Sequence, residues 1–367
     1  MKKEISLSIV LLLVLHIPLV FADGTNSIEN IVLPPRFSWR DINGIDFTTS
    51  VKDQRPAATC EAYALVAALE TLVQYQVGYP FECDLSEAHL FFYPGGVAEW
   101  GVNVTDAANY LITDGVPDEG CFPDPHRPHN FPFESLEGWE ERTIKITEWG
   151  WVENTVESIK QALVEHGPLT ICMLTRNDFF NYKGGIYTPR GLVKGGHVIT
   201  ITGYDDIHRC WEIKNTGGDE WGEEGYIRVS YDADTAEHPF FWPFYGGTGI
   251  MYIDGVYGNF LPDVPKIQIT QPMIHHTYLF GRALPTLLKN LPLQAAAPRI
   301  IGKLTIETTT SNTDRVDFYY DGTLTYSDTV APFKWELDAS FGLHTIETYA
   351  YNQYNISKDI VDVFVLL

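Results

Sequence analysis

Apolar positions in the first two thirds of the chain follow a helical spacing at first and an extended spacing later. After the N-cap candidate Thr59, apolar residues recur every three or four positions, at Ala62, Val66, Leu69 and Val73. This spacing predicts a helix over residues 60–76, and similar patterns predict helices over residues 86–92, 105–113 and 155–166. Short apolar runs then predict strands over residues 169–174, 197–203, 210–215 and 225–230. Helices followed by strands are typical of an α+β module with two lobes.

The last part of the chain has a period of two instead. Val316, Phe318 and Tyr320 alternate with polar residues before the hairpin signal Asp321-Gly322. Strands are predicted over residues 267–270, 303–307, 315–320, 324–326, 333–336, 344–351 and 360–366. Seven short strands in about a hundred residues favour a β-sandwich. The segment over residues 315–346 resembles the Ig-like modules that are appended to many exported microbial proteins.

A proline-containing segment is expected to separate the two modules. Residues 261–265 have the sequence Leu-Pro-Asp-Val-Pro, and each proline fixes φ and removes a donor, which favours a stiff linker. The chain has 48 acidic and 25 basic residues and a formal net charge of −23, but residues 266–367 hold only 10 acidic and 8 basic ones. The acidity therefore belongs to the first module, which we predict over residues 23–260, and the β-sandwich is predicted over residues 266–367.

The first 22 residues indicate export. Two lysines precede an apolar run over residues 9–15, and Val-Phe-Ala at positions 20–22 offers a small residue for cleavage, which predicts a signal peptide over residues 1–22. A membrane anchor is the alternative, but His16 and Pro18 interrupt a stretch that is short for a span. No later segment is expected to cross a bilayer, so the protein is expected to be secreted or associated with the cell surface. The negative charge argues against nucleic acid and anionic membranes as partners.

Five cysteines leave at least one thiol unpaired within the chain; they are Cys60, Cys83, Cys121, Cys172 and Cys210. Cys172 and Cys210 lie in apolar strand-like runs, where buried inert thiols are expected. A disulfide between Cys83 and Cys121 remains open. Cys60 lies at the start of the first predicted helix, where free N–H groups and the helix dipole favour a thiolate.

Three further residues complete a set for acyl transfer with Cys60. Gln54 lies six residues upstream, near enough for its amide to join the Cys60 N–H in holding an oxyanion. His197 and Asn215 lie on or beside predicted strands and supply a base and a group that orients it. Taken alone, each of these residues is more often structural than catalytic, but their order and spacing along the chain favour a catalytic site.

Four sequence motifs appear in one order. They are Val-Lys-Asp-Gln over residues 51–54 before Cys60, Leu-Ser-Glu over 85–87, Gly-Gly-His-Val over 195–198, and Ile-Lys-Asn over 213–215 followed by Glu-Trp-Gly-Glu-Glu-Gly-Tyr over 220–226. With them, residues 33–255 resemble the papain-like cysteine peptidases. The resemblance implies that Cys60 is the nucleophile, His197 the general base, Asn215 the group that orients the imidazole, and Gln54 an oxyanion donor.

The same resemblance implies where substrate binds. Gly95 and Gly96 correspond to the glycine edge along which the substrate backbone lies. Gly196 and Val198 flank the histidine subsite, and Trp221 is expected beside the substrate.

Three positions depart from that family's pattern. Ala57 replaces a disulfide cysteine, Glu61 replaces the aromatic residue after the nucleophile, and Gly217 replaces the indole that shields the Asn–His hydrogen bond. That bond is therefore expected to be exposed and weak, and the carboxylate of Glu61 is expected to raise the pKa of Cys60. Only ten residues separate the predicted signal peptide from Leu33, too few for the family's inhibitory propeptide.

These features predict a secreted cysteine peptidase that hydrolyses peptide bonds through an acyl-thioester on Cys60. Two alternatives remain: a papain-fold binding or adhesion protein with weakened catalysis, and a thiol acyltransferase, because the same order of Cys, His and Asn also serves transfer to amines. The expected partners are polypeptides, basic ones among them because the first module is acidic. No cofactor or metal is expected, and the C-terminal module is expected to attach to a surface or another protein.

Overall fold

The described helices all belong to the first module. The computed structural model describes residues 33–54, 57–81, 83–124, 135–235, 239–243, 247–259, 264–274, 276–284, 297–338, 340–353 and 355–366. Its helices are α1 (Cys60–Val77), α2 (Glu87–Phe92), α3 (Val104–Thr113) and α4 (Val156–Glu165). Each matches a predicted helix to within one residue at either end, and no helix in these ranges is long and apolar enough to cross a bilayer. The predicted signal peptide and residues 261–263 of the predicted linker lie outside the described residues.

The first module also contains an eight-stranded sheet. Its strands are β1 (Arg36–Ser38), β3 (Glu148–Trp151), β4 (Leu169–Arg176), β5 (Ile186–Tyr187), β6 (Val193–Asp205), β7 (Cys210–Lys214), β8 (Tyr226–Ser230) and β9 (Ile250–Asp254). They are ordered β3-β9-β4-β6-β7-β8-β5, with β1 paired to β6. A separate ribbon pairs β2 (Ile144–Lys145) with β10 (Tyr257–Gly258). The four predicted strands correspond to β4, β6, β7 and β8, which form the centre of the sheet.

Two apolar clusters hold this module together. One lies beneath α1, α2 and α3 and takes in Cys172 and Val198 from the sheet, and the other packs α4 against the sheet. The hydroxyl of Thr200 on β6 donates to the Ala64 carbonyl of α1 at 3.0 Å. The start of α1 is therefore fixed against the strand that carries His197.

The second module consists of two further sheets. One has the order β11-β15-β18, from Lys266–Gln271, Leu304–Ser311 and Lys334–Leu337. The other has the order β13-β12-β14-β20-β19-β16-β17, from Arg282–Leu284, Thr277–Leu279, Arg299–Ile301, Ile356–Val365, Gly342–Tyr351, Arg315–Tyr320 and Thr323–Asp328. Both sheets contribute to a third apolar cluster that includes Ile306, Phe318, Trp335 and Val363. All seven predicted strands are present, and β12, β13 and β14 add to them.

The two modules contact each other within one compact unit, Pro34–Leu367. Arg142 binds the Asp118 carboxylate through two nitrogens, at 2.8 and 2.6 Å, and donates to the Ile356 carbonyl of β20 at 2.7 Å. Gly120 packs so closely on Ser357 that an added Cβ would lie 2.2 Å from its hydroxyl oxygen. A cavity of 1080 Å³ is lined by residues of both modules. The expected division into two separately packed cores is thus accompanied by an interface that the sequence pattern does not predict.

Candidate active site

Cys60 is the first residue of α1 and is 8% exposed. Thr59 occupies the N-cap position, but its side chain makes no capping hydrogen bond and its hydroxyl has no partner among the described residues. The first turn therefore lacks a side-chain cap from Thr59. Its N–H groups are bound in other ways, since those of Ala62 and Tyr63 donate to the Thr59 carbonyl at 3.1 and 3.2 Å and that of Glu61 donates to its own carboxylate.

The surroundings of the Cys60 thiol oppose ionisation. Its Sγ lies 3.6 Å from Oε2 of Glu61. Burial, followed by the charge of Glu61, raises the pKa of Cys60 well above its ordinary value, and a hydrogen bond from the Val198 backbone N–H acts in the opposite direction. The thiolate-favouring effect expected from the helix start is thus outweighed by burial and by the neighbouring carboxylate.

The imidazole and the carboxamide meet at the end of two paired strands. His197 lies on β6 and Asn215 directly follows β7, and Nε2 of His197 is 2.9 Å from Oδ1 of Asn215. Burial lowers the pKa of His197, and the hydrogen bond to Asn215 opposes that shift. Because Nε2 faces the amide oxygen, Nδ1 remains to exchange a proton with the nucleophile.

The Asn–His hydrogen bond is part-buried, with His197 half-buried, and is thus less exposed than expected. Asn215 is 5% exposed, although Gly217 indeed offers no side chain to cover it. The ring of Phe179 lies edge-on to the imidazole, with centroids 5.9 Å apart at 71°, and the indole of Trp221 packs on Phe179 at 4.9 Å. An aromatic residue from a different segment therefore lies against the imidazole, and local sequence spacing gives no signal for it.

Gln54 is bound on three sides to the segments around Cys60 and Asn215. Its backbone N–H donates to the Thr216 carbonyl at 2.9 Å, and its side-chain oxygen accepts from the Thr216 hydroxyl. Its Nε2 donates to the Ala57 carbonyl at 2.8 Å. A primary amide has two N–H donors, so one proton is engaged by Ala57 and the second is the one that would serve an oxyanion.

The five residues predicted to contact substrate are three glycines and two residues with larger side chains. Gly95 is exposed with φ +96, and the N–H of Gly96 donates to the Phe91 carbonyl. Gly196 packs against Trp242, because an added Cβ would lie 2.9 Å from the Trp242 ring. The side chain of Val198 is 5% exposed and belongs to the core, so the site receives only its backbone N–H. Trp221 packs against aromatic neighbours.

All five cysteines are free and buried. The disulfide that was left open between Cys83 and Cys121 is therefore not formed. Within the described ranges, no group of three or more His, Cys, Asp and Glu side chains could hold a metal ion.

Comparison with known proteins defines the class to which this fold and site belong. Residues 33–238 match the family model described as papain family cysteine protease. A solved cysteine protease from Xylella fastidiosa, xylellain, covers 61% of this chain and 87% of its own with a TM-score of 0.50 at 22% identity, which supports the fold. The chain belongs to the papain family of cysteine proteases, and the resemblance implied by its motifs is confirmed.

Two relatives show how much of each chain the sequence similarity covers. A viral cathepsin of Cydia pomonella granulosis virus is 30% identical over 224 residues, which cover 56% of this chain and 60% of the relative. Gamete and mating-type specific protein A of Dictyostelium discoideum is 28% identical, over 53% of this chain and 43% of the relative. The chain thus spans less than two thirds of the length of both. The family model ends at residue 238, before the C-terminal sheets, so their Ig-like identity remains a prediction.

Proposed function

We propose that the protein is a secreted cysteine peptidase in which Cys60, His197 and Asn215 carry the reaction. The observation that carries the proposal is the 2.9 Å hydrogen bond between His197 and the buried Asn215, on a strand held against the helix that begins with Cys60. In the family to which the chain belongs, these three residue types occur in this order.

The reaction follows from the geometry in two halves. The Cys60 sulfur attacks the scissile carbonyl carbon while His197 holds the thiol proton, and the oxyanion is received by the Cys60 N–H and Gln54. His197 then gives its proton to the leaving amine, and the acyl group stays on sulfur as a thioester. Water, deprotonated by His197, releases the acid and restores the thiol. The substrates are polypeptides, with basic segments favoured by the net charge of −23.

The test compares two variants on a fluorogenic peptide. Cys60→Ala is expected to abolish cleavage, since no other group can form the thioester. Asn215→Ala is expected to lower kcat/KM by about 10- to 150-fold, because a buried hydrogen bond to a charged group contributes about 1.5–3 kcal/mol. Retained turnover in Cys60→Ala would overturn the assignment of Cys60 as the nucleophile. An unchanged kcat/KM in Asn215→Ala would show that the Asn215 amide does not orient His197.

One observation favours the second candidate, a papain-fold binding protein with weakened catalysis. The thiol is buried beside a carboxylate, and its pKa is raised. The two functions are separated by reaction with a thiol-directed peptidyl epoxide. A peptidase is labelled on Cys60 and loses its activity, whereas a binder shows neither labelling nor turnover.

The C-terminal module is proposed to be an Ig-like domain that attaches the enzyme to a surface or another protein. Two sheets over one shared core support this proposal. Fractionation of the native producer, comparing the full chain with one that ends before Lys266, is expected to show loss of surface retention in the shorter form.

A further inference from the structure

Glu61 is held in place beside the nucleophile. Its carboxylate accepts hydrogen bonds from its own backbone N–H and from that of Val102, and Oε2 lies 3.6 Å from the Cys60 sulfur. Gly101 makes room for it, because a Cβ at this φ +92 position would lie 2.7 Å from Oε1. The Ala58 N–H donates to the Ala98 carbonyl at 3.0 Å, which ties the loop over residues 97–101 to the segment before Cys60. The carboxylate is therefore positioned rather than free to turn into solvent.

The groups that face this carboxyl are weak acids or neutral donors. They are the thiols of Cys60 on α1 and Cys172 on β4, with the Val102 N–H on the remaining side. Burial raises the pKa of Glu61 to about 7, and its hydrogen bonds lower it in part. Two acids 3.6 Å apart in a low-dielectric site cannot both lose their protons readily, so they titrate as a pair.

We propose that Glu61 is a positioning residue that gates Cys60 by protonation: the thiolate forms only when the Glu61 carboxyl is neutral. This inference rests on the proposed function. In the resting state at high pH, Glu61 is a carboxylate, Cys60 keeps its proton and donates it to Oε2, and His197 is neutral. Uptake of one proton from solvent gives a neutral Glu61, a Cys60 thiolate and a protonated His197. Because one proton is taken up, the active fraction falls about tenfold for each pH unit above the transition.

The consequence is an enzyme that works in acidic and neutral media and loses reactivity in mildly alkaline ones. A peptidase with only the Cys–His pair loses activity when the imidazolium deprotonates. The added carboxylate brings that loss to lower pH, close to the titration of Glu61. The acid side of the profile is governed by the thiolate–imidazolium pair as before.

The experiment measures the rate at which iodoacetamide alkylates Cys60 from pH 5 to pH 9, with the modified residue identified by peptide mapping. In the wild type, the rate is expected to fall through pH 7 to 8. Glu61→Gln cannot ionise, so at pH 8 this variant is expected to react about tenfold faster than the wild type. Asp106→Asn, which removes the same charge from the exposed side of α3, is the matched control and is expected to follow the wild type.

The outcomes separate the gate from the proposed function. Superimposable profiles for the wild type and Glu61→Gln would overturn the gate, whether or not peptides are cleaved. Should Glu61→Gln fail to fold, the wild-type profile still decides, because a rate that rises steadily from pH 6 to pH 8.5 contradicts the gate. Peptide cleavage by the wild type, measured in parallel with the alkylation rates, tests the peptidase assignment independently.

Discussion

His89 is buried without a hydrogen-bond partner, and this predicts an acid-labile helical lobe. The side chain is 0% exposed, and neither ring nitrogen has a partner among the described residues. Its ring stacks on Tyr93 at 4.0 Å and lies 4.4 Å from Trp139. Burial lowers the pKa of His89 to about 3 from an ordinary value of 6.5.

The sign and size of the effect follow from proton linkage. The folded protein keeps His89 neutral, whereas the unfolded chain binds a proton below pH 6.5, so this contribution to stability is complete above pH 6.5 and is lost as the pH falls toward 3. At pH 5, about 1.5 pH units below the unfolded-state value, the loss is about 2 kcal/mol. Attraction between an imidazolium and the Tyr93 ring acts in the opposite direction, but at about 1–2 kcal/mol it is too small to bring the pKa of the buried His89 up to 5, so the loss at pH 5 stays near 2 kcal/mol.

The assay is urea unfolding followed by tryptophan fluorescence at pH 7.5 and pH 5.0, in a Cys60→Ala background that prevents self-cleavage. Carboxylates elsewhere also titrate, so the informative quantity is the difference in the free energy of unfolding between the parent and His89→Phe. That difference is expected to change by about 2 kcal/mol between the two pH values. His89→Gln, which cannot titrate, should show the same change even if it is less stable throughout. A difference that is constant with pH would refute the reasoning.

Two further predictions concern packing. Arg142→Ala leaves the largely buried carboxylate of Asp118 unpaired and is expected to lower the free energy of unfolding by about 3 kcal/mol. The control Arg209→Ala removes one partner of an exposed ion pair and should lower it by less than about 1 kcal/mol. Equal losses of the two variants in urea unfolding would contradict this prediction. Gly96→Ala places a Cβ 2.3 Å from the Phe91 carbonyl oxygen, which is backbone and cannot turn aside, so kcat/KM for peptides should fall, and an unchanged kcat/KM would show that the loop yields.

Periodicity predicted the elements in which the spacing of apolar residues within the element itself carries the signal. The apolar spacing of α1 and the alternation in β16 predicted both elements almost to the residue, although α1 is buried on most of its surface and β16 also buries Asp317, between Val316 and Phe318. Strands β3 and β9 were not predicted. They pair with each other, and β9 also pairs with β4, so all of their partners lie far away in the sequence.

The candidate site was predictable where motifs fix the residue types and not where tertiary contacts fix the environment. His197 and Asn215 were paired correctly from their motifs, but the sequence could not reveal that Phe179 lies edge-on to the imidazole. It also could not place the carboxyl of Glu61 against Gly101, a contact that spans forty residues. Sequence spacing thus predicts which groups are candidates for the reaction, while the pKa of each group depends on neighbours brought in by the fold.

The relative placement of Cys60 and Asn215 depends on a buried polar chain between α1 and the end of β7. Lys214, next to Asn215, donates to the Thr49 carbonyl at 2.8 Å, and the Thr49 hydroxyl donates to the buried carboxylate of Glu70 on α1 at 2.5 Å. Burial lowers the pKa of Lys214 to about 8. Apolar contacts alone would allow α1 to slide along the sheet, whereas directional bonds to a charged carboxylate fix one register. The helix that begins with Cys60 and the strand that precedes Asn215 are therefore joined through groups outside the proposed reaction.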